Sequence, residues 1–519
     1  GLGDVYKRQV ARIIRNREVI GEKNIRIYLG GNLSDLSDPH QMKDMDRLVE
    51  ILAQKIRKQV HIRIIGDYDV DGVTSSHLFL TALRRVGAKV DVVIPHRIQD
   101  GYGLSLHLLQ QAKEDGVDTI LTCDNGIAAI DEIAWAKAQK MTVLVTDHHA
   151  VPFEEHEGRR TEKKSLADAV VNPHQQDCGY PYKELCGAGV AWNVIRVLYE
   201  NYDMDKREAE DLLDFVAMAT VCDVMSLTGE NRILVKEGLK RIRHTKNIGL
   251  QALMQACNVQ PENISAYHFG YVLGPCVNAT GRLDTARHAL RLFETGQETE
   301  AEEIARDLVD LNQERKELTL QGVEMAKKLC EEGGYENDPV LVLFLPDVHE
   351  SIAGLIAGRI REMYNRPVFV LTRGEEGVKG SGRSTENYSM YENMCGCAEL
   401  FTKFGGHPMA AGLSLPEENV EKFRRKINEN CPLTVEEVCP DIHIDMAMPV
   451  GYASTELVHQ FALLEPFGKD NPSPLFADRN LSISRMWLIG KNRNVLRMSV
   501  LSEYGQPVPV IFFGDVETL

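Results

Sequence analysis

The stretch Val60-His61-Ile62-Arg63-Ile64-Ile65-Gly66-Asp67-Tyr68-Asp69-Val70-Asp71-Gly72 organises the reading of the chain. The β-branched run Val60–Ile65 predicts a buried strand, and the glycine after it opens a turn carrying carboxylates at alternate positions. The same grammar recurs in the runs Val90–Ile94, Thr119–Thr122, Thr142–Thr146 and Ala169–Val171, with amphipathic segments Ser105–Glu114 and Ile130–Lys140 between them. Such alternation predicts an α/β fold, a parallel sheet covered by helices. Ligands of such sheets collect beyond the carboxyl ends of the strands, so the turns are where chemistry belongs.

In extended backbone, residues two apart face the same side, so Asp67, Asp69 and Asp71 repel one another unless a cation sits among them. A calcium loop would need an acidic residue at position 12 counted from Asp67; that position is Leu78, which excludes it. The next strand ends in Cys123-Asp124-Asn125-Gly126 and the one after it in Thr146-Asp147-His148-His149. Asp223 follows the helical run Leu212–Ala219, within Thr220-Val221-Cys222-Asp223-Val224-Met225. Singly, an Asp-Asn-Gly is a turn and a histidine is an ordinary core or surface residue. Jointly, segments that bring Asp67, Asp69, Asp71, Asp124, His148, His149 and Asp223 to one sheet edge predict a metal centre. The donors are oxygen-rich without thiolate, which suits manganese or magnesium, and they are too many for one ion. Two divalent ions roughly 3.5–4 Å apart stabilise the attacking and leaving oxygens of a phosphoryl displacement, so phosphoester hydrolysis is the leading chemistry.

With 519 residues, 43% hydrophobic and 26% charged, the chain reads as globular, with about three domains at ~150 residues each. A formal charge of −17 excludes adhesion to DNA across the whole surface and confines nucleic-acid contact to a local site. No run approaches the ~18 apolar residues of a membrane span, and no signal-peptide core is present, so no membrane partner and a cytoplasmic location are expected. Eleven cysteines without any C-x-x-C spacing predict neither a disulfide framework nor a zinc ribbon. The chain opens at Gly1 without methionine and stops at Leu519 after the strand-like Val508–Phe513, so clipping at both ends is expected.

Five regions follow from the pattern: an N-terminal extension (1–47), the α/β region (48–230), a helical region with the long charged helix Glu300–Glu332 as an exposed spacer (231–334), a smaller α/β region (335–435), and a β-rich tail (436–519). Glycines crowd Gly377–Gly382 and Gly405–Gly412 in the second α/β region. In the tail, the runs Ile442–Ile444, Leu481–Ile489, Val495–Leu501 and Pro507–Phe513 predict a small barrel or sandwich.

The motifs GDYDVDG (66–72), CDNG (123–126), DHH (147–149) and CDVM (222–225) resemble the four motifs of the DHH phosphoesterase superfamily. NATGRL (278–283), GSGRS (380–384), FGGHP (404–408) and LEPFGKDNP (464–472) narrow the resemblance to the RecJ family, over about Leu48 to Phe513. The resemblance implies a DHH catalytic domain, a connecting helix, a DHHA1-type substrate domain and a C-terminal oligonucleotide-binding (OB) barrel, here truncated. It implies a 5′→3′ exonuclease specific for single-stranded DNA with a free 5′ end, acting in recombination and repair as a monomer, with two divalent ions, manganese preferred or magnesium. Single-strand-binding protein and a helicase are the implied protein partners. Asp67 and Asp69 would then serve one ion, Asp71, His148 and Asp223 the other, and Asp124 both, with His149 against the scissile phosphate or behind the ligands. Asp71, Asp124, His148 and His149 carry the catalysis in this assignment. Arg97, Arg282, Gln313, Ser381, Arg383 and His407 would grip the terminal phosphate and backbone, where an arginine fork suits phosphate oxygens.

Two departures stand out. The family commonly has a glycine after the histidine where this chain reads His349-Glu350-Ser351-Ile352-Ala353-Gly354, and residues 1–9 match none of its motifs. Tyr102, Tyr180 and Tyr182 are read either as base-stacking groups or as ordinary packing. Three rival readings remain: an oligoribonuclease or cyclic-dinucleotide phosphodiesterase of the same superfamily, a non-catalytic DNA-binding relative, and a pyrophosphatase. The tail argues against the first and third, and the full set of acidic and histidine motif positions against the second.

Overall fold

The computed structural model describes every residue except 1, 98–99, 101–102, 157–158, 284, 336–337, 375–376, 435–441, 491–494 and 515–519. Strands Ile62–Ile65, Val90–Val93, Thr119–Cys123, Thr142–Thr146 and Ala169–Val171 form one wholly parallel sheet. The Ile62 strand lies between the Val90 and Thr119 strands, followed outward by the Thr142 and Ala169 strands. Helices Val70–Arg85, Leu106–Glu114 and Ile130–Ala138 make the crossovers that parallel pairing requires. The central strands are buried on both faces, Ile62 and Ile64 among them, which is why they read as continuous apolar runs. The registers Ile65 to Thr122 and Cys123 to Thr146 level the strand ends, so the turns starting at Gly66, Asp124 and Asp147 open at one edge.

A helical layer, including Gly187–Asn201, Leu213–Cys222, Gly229–Ile242 and Gly274–Leu283, covers one side of that sheet and shares its core. The connecting helix runs Glu298–Glu332, 35 residues. It is not the exposed spacer its charge suggests. Ala301, Ile304, Ala305 and Leu308 pack into the first core, and Val323, Ala326 and Cys330 into the second. An apolar stripe at helical spacing does the packing while the charged residues face water.

The second domain is a mixed sheet ordered Lys403–Gly406, Ala410–Leu415, Gly377–Arg383, Val368–Gly374 and Leu341–Phe344. Its last pair is parallel and the others antiparallel. Helix Glu350–Tyr364 packs on it.

In the tail, Ile442–Ile444 forms no strand; Met446–Ala447 pairs with Phe476–Ala477 instead. Ser482–Ile489, Val495–Leu501 and Pro507–Phe513 make an antiparallel meander that is open among the described residues. Helices Leu2–Asn16 and Glu22–Gly30 dock on the segment leading into this tail, with Ile13 and Tyr28 packed against Leu464 and Met446. Buried Arg232 ties the junction, donating to the carbonyls of Tyr28 (2.7 Å) and Leu464 (3.0 Å). Among the described residues no helix is long and apolar enough to cross a membrane.

Candidate active site

The acidic turn after Ile65 is not extended. Asp69 caps helix Val70–Arg85, accepting from the Gly72 amide at 3.0 Å, so Asp71 lies in that helix's first turn. The fold-back needs glycine: a Cβ on Gly72 would lie 2.5 Å from the Asp67 carbonyl oxygen, and one on Gly66 2.0 Å from Ser76 Oγ. The turn therefore keeps Asp67 and Asp69 together and turns Asp71 away from them. Asp71 points away to a second helix, accepting from the Gly187 and Ala188 amides at 2.6 and 2.7 Å. The unsatisfied amides at the start of that helix suit a carboxylate.

Asp124 sits in the left-handed region (φ 60°), which Asp tolerates, and Gly187 lets the helix approach it; a Cβ there would be 2.6 Å from Asp124 Cβ. Asn125 fixes the turn by donating to the carbonyls of Ile65 (3.0 Å) and Cys123 (2.9 Å). The result is three overlapping groups whose donor atoms lie within 4.8 Å of one another: Asp67, Asp69 and Asp124; Asp71, His148 and Asp223; Asp124, His148 and His149. His148 Nε2 is 3.0 Å from Asp124 Oδ1 and 3.6 Å from both Asp71 Oδ2 and Asp223 Oδ2.

Asp67, Asp71 and Asp124 are almost wholly buried. Burial, then the neighbouring carboxylates, pushes Asp67, Asp124 and Asp223 well above the usual carboxylate range, and Asp69 upward. Asp67 Oδ1 is buried without a hydrogen-bond partner. Buried carboxylates that oppose each other's ionisation beside an unsatisfied oxygen and an imidazole nitrogen form a donor set that hard divalent cations complete.

His149 is held differently. Its Nδ1 lies 2.7 Å from Asp147 Oδ1, and Asp147 also accepts from the amides of Ile127 (2.9 Å), His148 (2.7 Å) and His149 (3.1 Å). Burial works against the imidazolium, yet the Asp147 hydrogen bond and the charges of Asp147, Asp223 and Asp71 hold its pKa up to about 9. Asp147 is thus the residue that orients His149, one the sequence reading did not name although it begins the Asp-His-His triplet.

Arginines from both domains face the cleft, Arg97 and Arg282 from the catalytic side and Arg383 from the second sheet. Arg282 Nη1 donates to the Ser351 carbonyl at 2.6 Å, and Arg383 Nη1 to the Gly382 carbonyl at 2.7 Å and Ser381 Oγ at 3.3 Å. Arg97 lies 4.9 Å over the Tyr68 ring. Burial and the charges of Arg97, Arg315 and Arg383 bring Arg282 down to about 9; burial and Arg97 lower Arg383. A cavity of about 440 Å³ between the domains is lined by Arg97, Ser351 and Ser381 together with Lys379 and Lys403, two cations the sequence reading did not name. Gln313 and His407 stand apart. Gln313 is exposed on the connecting helix and donates to Glu317 at 2.8 Å, and His407 is exposed in a turn. The departure at Glu350 leaves a regular helix, capped by His349, whose ring nitrogen meets Ser351 Oγ at 2.7 Å.

Tyr102 lies outside the described residues. Tyr180 and Tyr182 are packing residues, bonded to Glu230 (2.6 Å) and the Thr228 carbonyl (3.0 Å). Among the exposed aromatics, Tyr267 and Tyr271 lie one helical turn apart and are stacked at 5.1 Å. They line a groove of about 990 Å³ with Lys236, Lys240, Arg243 and Lys469 that reaches Val224, next to Asp223. Lys236, Lys240 and Arg243 come from one helix end, while the tyrosines and Lys469 come from segments distant in the chain, so no single local motif announces the groove.

Family profiles match along the chain: the DHH family, N-terminal domain, over residues 61–220, the DHHA1 domain over 337–431 and the RecJ OB domain over 444–519. The chain is 34% identical to the single-stranded-DNA-specific exonuclease RecJ of Haemophilus influenzae, over 95% of this chain and 87% of that one. The chain belongs to the RecJ family. Identity to the RecJ of Bacillus subtilis is 33% across 96% of this chain, which spans 62% of that relative's length. The crystal structure of RecJ with Mn²⁺ from Thermus thermophilus aligns with a TM-score of 0.75 at 27% identity, covering 97% of this chain and 74% of that one. A second RecJ exonuclease bound to manganese aligns with a TM-score of 0.65 at 31% identity, covering 76% and 96%. In this member of the RecJ family the DHH, DHHA1 and OB matches follow one another in that order, and the OB match covers the open meander of the tail. RecJ relatives are solved with manganese or magnesium, ions that suit the oxygen-rich clusters of this member.

Proposed function

We propose that this chain is a metal-dependent exonuclease that hydrolyses single-stranded DNA from a free 5′ end, in recombination and repair. The observation that carries the reading is the juxtaposition of two buried carboxylate and histidine clusters with the half-buried cations Arg282 and Arg383 of the interdomain cleft. Bound divalent ions, manganese preferred or magnesium, supply Lewis acidity toward the scissile phosphate and its attacking water. Asp67 and Asp69 would hold one ion, Asp71, His148 and Asp223 the other, with Asp124 serving both.

The remaining work falls to the protein's own groups. His149, charged and oriented by Asp147, offers its second ring N–H to a phosphoryl oxygen. Arg97, Arg282, Arg383 and Ser381, with Lys379 and Lys403, grip the terminal phosphate. A terminal monoester carries more charge than an internal diester, so the arginines Arg97, Arg282 and Arg383, which repel one another, select an end over a backbone, while Lys379 is already paired with Glu350 at 2.8 Å. Tyr267 and Tyr271 stack bases of the trailing strand while Lys240, Arg243 and Lys469 follow its phosphates, a geometry that suits single strands. Gln313 and His407 reach the substrate in this reading only when DNA orders the cleft.

The catalytic unit is residues 48–230, with the helical region to 334, the substrate domain 335–435 and the OB-type tail from 436; residues 1–47 buttress the tail. The enzyme works in the cytoplasm as a monomer, on strands exposed by a helicase and coated by single-strand-binding protein. The test is single-stranded DNA labelled at either end, with manganese, magnesium or chelator, beside a dinucleotide. Mononucleotide released at once from the 5′ label, with metal only, is expected. Hydrolysis confined to the dinucleotide would move the protein to the short-oligonucleotide phosphodiesterases, and absence of hydrolysis would overturn the enzymatic reading.

A further inference from the structure

Cys257 and Cys276 play no part in the site described above, yet their sulfurs lie 3.8 Å apart. Cys257 caps the carboxyl end of helix Ile248–Ala256 and is partly exposed; Cys276 is buried in helix Gly274–Leu283. Cys276 Sγ accepts from Asn312 Nδ2 of the connecting helix at 3.4 Å, and Asn312 in turn accepts from Arg315 at 2.8 Å. The pair is chemically unequal. The hydrogen bond from Cys276, and then Lys316, lowers the Cys257 pKa, whereas Cys276 is pushed up as the proton-holding partner. An accessible thiol with thiolate character beside a buried resolving thiol is the arrangement on which reversible thiol oxidation depends.

The helix that carries Cys276 has three further attachments. Asn278 Oδ1 accepts from the Val70 amide at 3.1 Å, at the start of the helix whose first turn bears Asp71. Gly281 lies against the Tyr68 carbonyl, where a Cβ would come within 2.5 Å. Arg282 bonds to Ser351 across the cleft. This one helix therefore touches the acidic turn, the second domain and the thiol pair.

We propose that Cys257 and Cys276 form a peroxide-responsive dithiol whose closure to a disulfide displaces the Gly274–Leu283 helix and lowers nuclease activity. The Cys257 thiolate attacks hydrogen peroxide; an S–O bond forms, the O–O bond breaks, and the departing hydroxide takes up a proton to leave as water. Cys276 then attacks the sulfenic sulfur, the S–O bond breaks, and the thiol proton leaves with the hydroxide as a second water. Two thiols and one peroxide become one disulfide and two waters. The sulfurs must close to about 2.05 Å, a shift of about 1.8 Å shared between the two helices, which breaks the Asn312 contact. Misplacement of catalytic groups by about 1 Å is enough to cost on the order of 10²-fold in rate.

The full chain, fully reduced, is treated with hydrogen peroxide, freed of it, and divided between alkylation with peptide mass spectrometry and a single-stranded-DNA assay with manganese. A cross-linked peptide joining Cys257 to Cys276, a loss of activity of tenfold or more, and recovery with dithiothreitol are expected. Cys257→Ser is expected to match the untreated wild type in basal activity and to keep that activity after peroxide. Absence of the 257–276 cross-link, or equal and dithiothreitol-reversible inactivation of Cys257→Ser, would overturn the proposal. The cross-link is read without any nuclease activity, so it reports on the dithiol even if the proposed exonuclease function fails.

Discussion

Arg282 of the Gly274–Leu283 helix donates to the carbonyl of Ser351, the second residue of helix Glu350–Tyr364, at 2.6 Å, and so joins the catalytic domain to the substrate domain. The guanidinium is half-buried beside other cations, with its pKa down to about 9. That is costly for the empty protein and favourable only when an anion shares the site. Arg282→Lys keeps a charge but loses the fork that can bond Ser351 and a phosphate together. The expected loss is roughly 1.5–3 kcal/mol, about 10- to 100-fold in kcat/KM, and mainly in KM for 5′-phosphorylated DNA. Equal losses on 5′-hydroxyl and 5′-phosphoryl substrates would detach Arg282 from the terminal phosphate.

Asp124 belongs to two of the donor groups and lies 3.0 Å from His148 Nε2. Asp124→Asn removes one of the mutually repelling buried carboxylates, so in chelator the variant is expected to melt above the wild type. With manganese the order reverses, because the wild type gains stability from a ligand that binds only the folded state and the variant does not. Hydrolysis is expected to fall by ~10³-fold or more, at least ~4 kcal/mol of transition-state stabilisation. A manganese-dependent rise in Tm equal to that of the wild type would remove Asp124 from the metal centre.

The sheet and the chemistry of its edge were legible because parallel strands buried on both faces leave unbroken apolar runs, and the polar residues that follow can only be turns. Asp67, Asp124 and His148 could be named from that alone. The way the carboxylates avoid one another could not, since an Asp-x-Asp-x-Asp spelling does not say whether the backbone is pleated or caps a helix. Asp69 caps the helix that starts at the next residue, and Asp71 is held by the Gly187 amide of a helix more than 100 residues further along the chain. Lys379, Lys403 and the Tyr267–Tyr271 groove escaped for a related reason: each is assembled from segments with no local signature. The burial of Glu298–Glu332 was hidden by its charge, because one apolar stripe suffices to seat a helix in two cores.

Asp147 holds His149 at 2.7 Å and keeps the imidazole protonated up to about 9. If charged His149 donates to the phosphoryl group, wild-type activity falls as pH rises through the His149 pKa, which bound divalent ions bring below its metal-free value of about 9. In Asp147→Asn the supporting charge is gone, so the same fall is expected at lower pH. Activity near pH 6 should be affected least, and the deficit should widen to roughly 10²-fold by pH 8.5. A pH-rate profile of the variant parallel to that of the wild type would show that Asp147 serves the fold alone.

Tyr267 and Tyr271, exposed and stacked on each other beside Lys240 and Arg243, invite bases that follow the scissile bond. Replacing both with alanine removes stacking worth ~1–3 kcal/mol per base. KM for long single strands is expected to rise about 10-fold or more, while dinucleotide hydrolysis stays unchanged. A uniform loss on both substrates would place the pair outside the strand's path.

His77 is buried on the Val70–Arg85 helix, its ring 4.4 Å from Phe215 and 5.8 Å from Phe293. Burial, and then the charge of Arg84, pulls its pKa down to about 3, against 6.5 for the free side chain. Between those values the unfolded chain binds a proton that the folded one refuses. The stability associated with His77 is therefore fully present above about pH 6.5 and is lost as pH falls toward 3. At pH 5 the loss is ~2 kcal/mol, from 1.36 kcal/mol per pKa unit. His77→Leu cannot take up that proton, and the loss of acid-sensitive carboxylate interactions elsewhere is common to both proteins. In urea denaturation at pH 7.5 and pH 5.0, the stability of the variant relative to the wild type is expected to improve by about 2 kcal/mol at the lower pH, whatever its absolute cost in packing. A constant difference at the two pH values would mean that the imidazole is already protonated in the folded core, with a counter-charge that the surrounding phenylalanines do not supply.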